Sequence, residues 1–358
     1  MSVPIRVGQI QQETQPASTQ PASSLLFDSL MIVFSCWFMG GVFLDGWAHT
    51  HIPRLETFFT PWHAALYSGY LSVALFLVIS LYRNHARGYA WKRALPSGYE
   101  LSLLGAGIFA VSGVADLIWH IIFGIEQNVE ALLSPTHLGL ATGLILAMGG
   151  PLRAAWRRPE SATRGWKALL PMLFSITFIL SIFTFFTEYA HPFVRLTAAI
   201  IYPFDYVGVQ TSISLGLVSI LFQAALLAAI VLLVVRRFTL PFGAFTMIFT
   251  INIALLSILG NHYNLIPGAA LGGLGADVLY WWLKPSTKRP DMLRLFAFAV
   301  PAFFYLCYFL NLEVIRGIQW SIHLWLGSVF MAGIAGLLLS LLMVPLRGTG
   351  EKDVTASE

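Results

Sequence analysis

About ten runs of roughly 20 apolar residues punctuate this chain, each long enough to cross the hydrocarbon core of a bilayer as a helix. A backbone in lipid must satisfy its own hydrogen bonds, so such runs leave only a helical bundle as the fold. The runs fall at about 26–48, 61–82, 99–123, 135–156, 168–189, 208–235, 240–261, 267–283, 292–312 and 320–345 of the 358 residues. Composition agrees. The chain is 57% hydrophobic and 11% charged, where a soluble domain carries about 25% charged residues. The expected fold class is therefore all-α, a polytopic membrane bundle of about ten transmembrane helices.

Residues 1–25 are polar and rich in Gln, Ser, Thr and Pro, and read as a disordered tail rather than a signal peptide. The transmembrane domain spans 26–346, and 347–358 form a second polar tail. Basic residues mark alternate loops: Arg83, Arg87, Lys92 and Arg93; then Arg153, Arg157, Arg158, Arg164 and Lys167; then Arg236 and Arg237; then Lys284, Lys288 and Arg289. The intervening loops carry only Arg54, Arg195 and Arg316. The positive-inside rule makes the basic loops and both termini cytoplasmic, in a multi-pass protein of the cell membrane. The net charge of +4 is spread over these short loops, so no nucleic-acid partner is expected. The lipid bilayer is the expected surrounding. Cys36 and Cys307 lie within apolar runs and read as small buried packing residues. Tryptophans near helix ends, among them Trp47, Trp62, Trp119, Trp281, Trp282, Trp320 and Trp325, read as an interfacial belt.

That topology sorts the histidines. His49, His51, His63, His120, His137, His191, His262 and His323 all fall on the outer side, and only His85 is cytoplasmic. Asp45, Glu56, Asp116, Glu126, Glu130, Glu188, Asp205 and Glu313 share the outer side. One such residue alone reads as an interfacial polar group. A clustered set asks for another explanation.

Four of these histidines belong to a motif that occurs twice. Asp45-Gly-Trp-Ala-His49 is followed by Pro61-Trp-His63, and Asp116-Leu-Ile-Trp-His120 by Pro135-Thr-His137. Phe38 matches Phe109, Leu66 matches Leu140, and Gly69 matches Gly143. The intervening loop is three residues longer in the second copy. The hairpins 26–82 and 99–156 thus read as a duplication. Asp and His at i and i+4 share a helix face. Proline opens the next helix at a position where its missing N–H costs nothing, and the second histidine follows in the first turn. Each hairpin therefore offers one carboxylate and two imidazoles. Three ligands leave a coordination position open, as in exchange or catalytic sites. The metal candidates are Asp45, His49, His63, Asp116, His120 and His137. The plainer reading is a hydrogen-bonded Asp–His pair that anchors a hairpin, although ionisable groups within a membrane are costly and usually functional. Two pockets at similar depth near the outer face are expected, as separate sites rather than as neighbours in one polar cavity, because each hairpin already supplies three ligands.

The later hairpins look like degraded relatives. The third has Glu188, His191 and Asp205; the fourth has His262 before Pro267; the fifth has Glu313, Trp320 and His323. None completes a triad. Asp277, in Gly272-Gly-Leu-Gly-Ala-Asp277, lies near the middle of the eighth run. It reads either as a polar lining or proton path, or as a hydrogen bond to a neighbouring helix.

The first motif, Asp45-x3-His49 followed by Leu55-Glu-Thr-Phe-Phe-Thr60-Pro61-Trp-His63, resembles the metal-binding stretch on the membrane helices of the copper membrane monooxygenases, the particulate methane and ammonia monooxygenases. In that family the stretch belongs to one of several membrane components. The likeness covers about 25 residues well and about 110 loosely. It implies copper at Asp45, His49 and His63 and a second copper site at Asp116, His120 and His137, with zinc as the alternative metal. It also implies other membrane subunits as partners and a small apolar or weakly polar substrate arriving through the bilayer. The chain departs from the family's pattern in having more helices, in opening its second set with Asp116 where the family has an amide, and in its longer second loop. Four readings follow: a component of a copper oxygenase, a copper or zinc handling protein, a haem b electron-transfer protein, and a structural component without metal. Haem ligation wants paired histidines near mid-bilayer without carboxylates, which this pattern does not offer. Scattered methionines give little support to a copper(I) export path.

Overall fold

A computed structural model describes residues 20–52, 59–124, 129–200 and 206–343. Every long element is an α-helix: α1 (Leu25–His51), α2 (Pro61–Ala86), α3 (Glu100–Phe123), the short α4 (Val129–Leu133), α5 (Pro135–Met148), α6 (Gly150–Arg157), α7 (Gly165–Phe186), α8 (Tyr206–Val235), α9 (Ala244–Gly260), α10 (Ile266–Leu283), α11 (Pro290–Arg316) and α12 (Ile322–Met343). The fold is a polytopic all-α bundle. Among the described residues, eight helical segments are long and apolar enough to cross a membrane, α5 with α6 counting as one. The other two expected runs form α9, of 17 residues, and α10, of 18 residues. These are shorter than the roughly 20 residues of a full span. Val111, Val114, Ile118, Ile121 and Phe123 leave α3 exposed along an apolar stripe suited to lipid.

The two hairpins predicted from the repeat are present. α1 packs on α2, and α3 packs on α5. Their helices approach closely at matched glycines. A Cβ on Gly69 would stand 2.5 Å from the Phe38 backbone, and one on Gly143 would stand 2.7 Å from the Phe109 backbone. The chain bends between α5 and α6 at Gly149, where a single helix was expected over 135–156. α7 and α9 pack against α1, and α7 also against α5. α10, α11, α12 and α8 complete the second half.

The end of the bundle opposite the histidines is tied by buried charge. Asp28 is fully buried. It accepts from Arg158 Nη2 at 2.5 Å, Tyr99 OH at 2.7 Å and Ser23 Oγ at 2.5 Å. Arg153 donates to Gly98 O, Ser102 Oγ and Leu146 O. Two basic residues of the second charged loop therefore brace the hairpins. Charge pairing is what makes such burial tolerable.

Two expectations need correction. Cys36 is exposed on α1, and Cys307 is only half-buried, so neither is a core residue. An apolar run marks a span but does not say which face meets lipid. Trp320 is buried against Phe309 rather than sitting in an interfacial belt, whereas Trp281 and Trp282 are 70% and 72% exposed. The expected tails, 1–25 and 347–358, lie almost wholly outside the described residues, as do Arg54, Glu56, Glu126 and Asp205.

Candidate metal centre

Local sequence positions each member of the triads along its own helix. Thr60 caps α2 and accepts from the backbone N of His63 at 3.1 Å. Ser134 caps α5 and accepts from the backbone N of His137 at 3.3 Å. Pro61 and Pro135 occupy the first helical turns. The cap thus fixes the residue that bears the imidazole, because the third helical N–H is the one an N-cap oxygen reaches. On the preceding helix, i and i+4 spacing brings His49 onto Asp45 and His120 onto Asp116.

The six residues come together as two groups of three. In each, the potential donor atoms lie within 4.8 Å of one another. Asp45 Oδ2 stands 3.7 Å from His49 Nε2 and 3.5 Å from His63 Nε2. Asp116 Oδ2 stands 3.2 Å from His120 Nε2, and its Oδ1 stands 3.5 Å from His137 Nδ1. A charge-assisted hydrogen bond closes to about 2.7–2.9 Å. Donors at about 2.0–2.2 Å from one metal lie about 3.0–3.6 Å apart. Three of the separations, 3.5–3.7 Å, lie nearer the second pattern, and Asp116–His120 at 3.2 Å satisfies either, so each triad could hold a metal ion.

The two triads are not identical. Thr136 Oγ1 donates to Asp116 Oδ1 at 2.7 Å, and Ser134 Oγ meets His137 Nδ1 at 2.7 Å. Trp62 stands where Thr136 stands, so the first copy has no such hydroxyl. His120 Nδ1 faces the Gly124 carbonyl at 3.3 Å, which leaves Nε2 for the ligand position. Asp116 is also the more buried carboxylate, with its side chain 3% exposed against 14% for Asp45.

Separate pockets were expected, and the structure instead opens both triads on one cavity of about 910 Å³. Asp45, His49 and His63 line it from the first hairpin, and Asp116 and His137 from the second. The hairpins pack directly on each other, with Phe38 against Phe109 and Tyr70 OH donating to Ala106 O at 3.1 Å.

Other groups reach the cavity without a warning in the motif. Tyr67 follows His63 by one turn and lines it. Gly113 makes room for this side chain, since a Cβ there would lie 2.8 Å from the hydroxyl. His51 stacks on Trp47, and its Nε2 meets Asn261 Nδ2 at 2.7 Å. This bond ties the end of α1 to the left-handed cap of α9, where Asn261 has φ 55°. Glu188 and Arg195, from the segment after α7, complete the rim.

The remaining histidines do not form a third triad among the described residues. His191 is buried, and its Nδ1 accepts from the Phe193 N–H at 3.2 Å. Burial depresses its pKa to about 3, so it is a neutral structural imidazole. Burial, followed by the charge of Arg316, also lowers the pKa of His262. Glu313 caps its own turn by accepting from Ile318 N at 2.6 Å. Asp277 accepts from Phe245 N at 3.0 Å, Thr246 N at 2.9 Å and Thr246 Oγ1 at 2.6 Å. It therefore caps the start of α9 from a neighbouring helix, which is the hydrogen-bonding role rather than the proton path. No protein family, curated protein or solved structure matches the chain.

Proposed function

We propose that this chain is a multi-pass membrane metalloprotein that holds two metal ions, one in each Asp/His/His triad, and that the metal is copper. The observation that supports it most is the donor spacing: four carboxylate–imidazole separations of 3.2–3.7 Å, in two copies. Zinc would accept the same donors. The resemblance of the first motif to the copper membrane monooxygenases favours copper. It also favours an oxidative role within a complex whose other members supply the reductant. Bound copper would supply one-electron chemistry with dioxygen.

The chain's own residues prepare such a site in three ways. The carboxylates give each ion a charged ligand. The caps at Thr60 and Ser134 hold His63 and His137 in place. Leu66 and Leu140, one turn after His63 and His137, line the same cavity and limit water below the triads. By the positive-inside rule the triads belong to the extracytoplasmic face and both termini to the cytoplasm. A metal-transfer role is the weaker reading, because Asp277 was its one deep ligand candidate and is engaged as a helix cap.

Metal analysis of the protein purified in lipid nanodiscs tests the proposal. Two copper ions per chain are expected, with the electron paramagnetic resonance signature of nitrogen- and oxygen-ligated copper(II). A haem spectrum, or no metal above background after copper loading, would overturn it.

A further inference from the structure

The cavity extends far beyond the triads. Val42, Phe109 and Leu144 line its deep end, each seven residues from a triad member (His49, Asp116 and His137). At 1.5 Å per residue this is about 10 Å, or two helical turns, towards the middle of the membrane. The volume, about 910 Å³, lies near the top of the range for organic-ligand pockets. It is some thirty times the roughly 30 Å³ taken by one water molecule, far more than a gas molecule or two hydrated ions require. The wall below the triads is apolar, with Leu66, Leu140 and Phe185, whose ring packs on Phe43.

The rim carries an acceptor that the protein leaves unused. Glu188 Oε2 is buried and has no hydrogen-bond partner among the described residues. Buried carboxylate oxygens are costly unless something bonds them. Burial, only partly opposed by Arg195, pushes this carboxyl up to about 7, so near neutrality it can either donate or accept. The polar rim and the apolar depth lie at opposite ends of one space, with the triads between them.

We propose that the cavity binds an amphipathic organic molecule, with its hydroxyl or amine end at Glu188 and an aliphatic body running down past the triads to Leu144. This deepens the metalloprotein reading and rests on it for the meaning of the site, though not for the binding itself. The substrate class is thus a medium-chain alcohol or amine rather than a gas.

The test uses full-length protein in nanodiscs and the n-alcohols from butanol to dodecanol, with thermal unfolding as the readout and metal content measured on the same samples. Thermal stabilisation should grow with chain length until the cavity is full. Leu144→Trp fills the deep end and should weaken binding of the longer alcohols about tenfold while metal content stays unchanged. Leu144→Phe should give a smaller effect of the same kind, and serves if the tryptophan variant does not fold. Glu188→Leu should weaken the alcohols and leave the corresponding n-alkanes unaffected. If wild type and both Leu144 variants respond alike at every chain length, the alcohols act only through the bilayer and the proposal fails. Metal retained without chain-length dependence overturns this inference alone. Chain-length dependence without metal overturns the metalloprotein reading alone.

Discussion

Phe38 and Phe109 stand at equivalent positions of the two hairpins, and their rings meet edge to face with centroids 4.9 Å apart. The duplicated hairpins are thus joined where each copy presents the same residue. Each phenylalanine also packs beneath its own matched glycine, Gly69 or Gly143. The contact between the copies fits the opening of Asp45, His49 and His63 from one hairpin and Asp116 and His137 from the other on one cavity.

Phe38→Ala should destabilise the bundle by about 3–5 kcal/mol, the usual loss for a buried phenylalanine. It should also weaken metal binding at both triads, because the ring belongs to their common support. Gly143→Val should cost about 1–3 kcal/mol by overpacking against Phe109. Thermal unfolding in nanodiscs with metal analysis reads both. Full metal content in a destabilised Phe38→Ala protein would detach the triads from the Phe38–Phe109 contact.

The triads should load independently but unequally. His49→Ala and His120→Ala should each remove about half of the bound metal. If either change abolished all binding, the six residues would form one cluster. If neither changed it, the repeated motif would be a hairpin anchor. Thr136→Val should weaken the second site alone by about 10–100-fold, the usual effect of losing a partner that orients a ligand. A chelator titration resolved by spectroscopy would show one of two sites releasing early. Equal weakening of both would contradict the assignment of Thr136 to Asp116.

Much of the architecture could be read in the chain, for physical reasons. Long apolar runs have one solution in lipid, and the i, i+4 pairs and Thr60-Pro61 and Ser134-Pro135 starts act within a single hairpin. The rest depends on contacts between distant segments. Asn261 meets His51 across 210 positions, and Arg158 meets Asp28 across 130. No spacing rule announces either. Asp277 left two readings open because its partners, Phe245 and Thr246, lie on another helix. The bend at Gly149 was hidden because apolar composition runs through it. The merged cavity was hidden because a repeat shows that two sites are alike, not how close they stand.

Reporter fusions test the orientation of the bundle. Fusions at Arg87, in the connection that precedes α3, and at Gly124, the cap that ends it, should report opposite sides, with Arg87 cytoplasmic. The same side at both would remove α3 as a span and, with it, the shared side of the histidines.

The pH dependence of stability should carry the mark of His191. Its folded pKa is depressed to about 3, below the unfolded value of about 6.5. The neutral ring therefore contributes stability above pH 6.5, and this is lost progressively as pH falls from 6.5 towards 3. His191→Asn keeps an acceptor near Nδ1 for the Phe193 N–H and does not titrate. The metal-free variant should thus lose less stability than metal-free wild type between pH 7 and pH 5. Glu188 has the opposite sign. Its pKa is raised to about 7 by burial, so its contribution is present below its unfolded value of about 4.3 and is lost as pH rises through 7. Glu188→Gln should remove the loss that Glu188 adds between about pH 4.3 and 7 and leave the profile above that window unchanged. Identical profiles for wild type and both variants would show that neither group is buried as described.

Asp277 separates a structural carboxylate from a functional one. Its two oxygens take three donors at the start of α9, where unpaired N–H groups and the positive end of the helix dipole favour a negative charge. Asp277→Ala should cost about 0.5–2 kcal/mol, the usual range for losing a helix cap. Asp277→Asn should recover part of this, because its amide oxygen still accepts one of the bonds. Neither change should alter the metal content or the alcohol response, since Asp277 does not line the cavity. A stable Asp277→Asn protein that lost either property would restore the proton-path role and displace the cap.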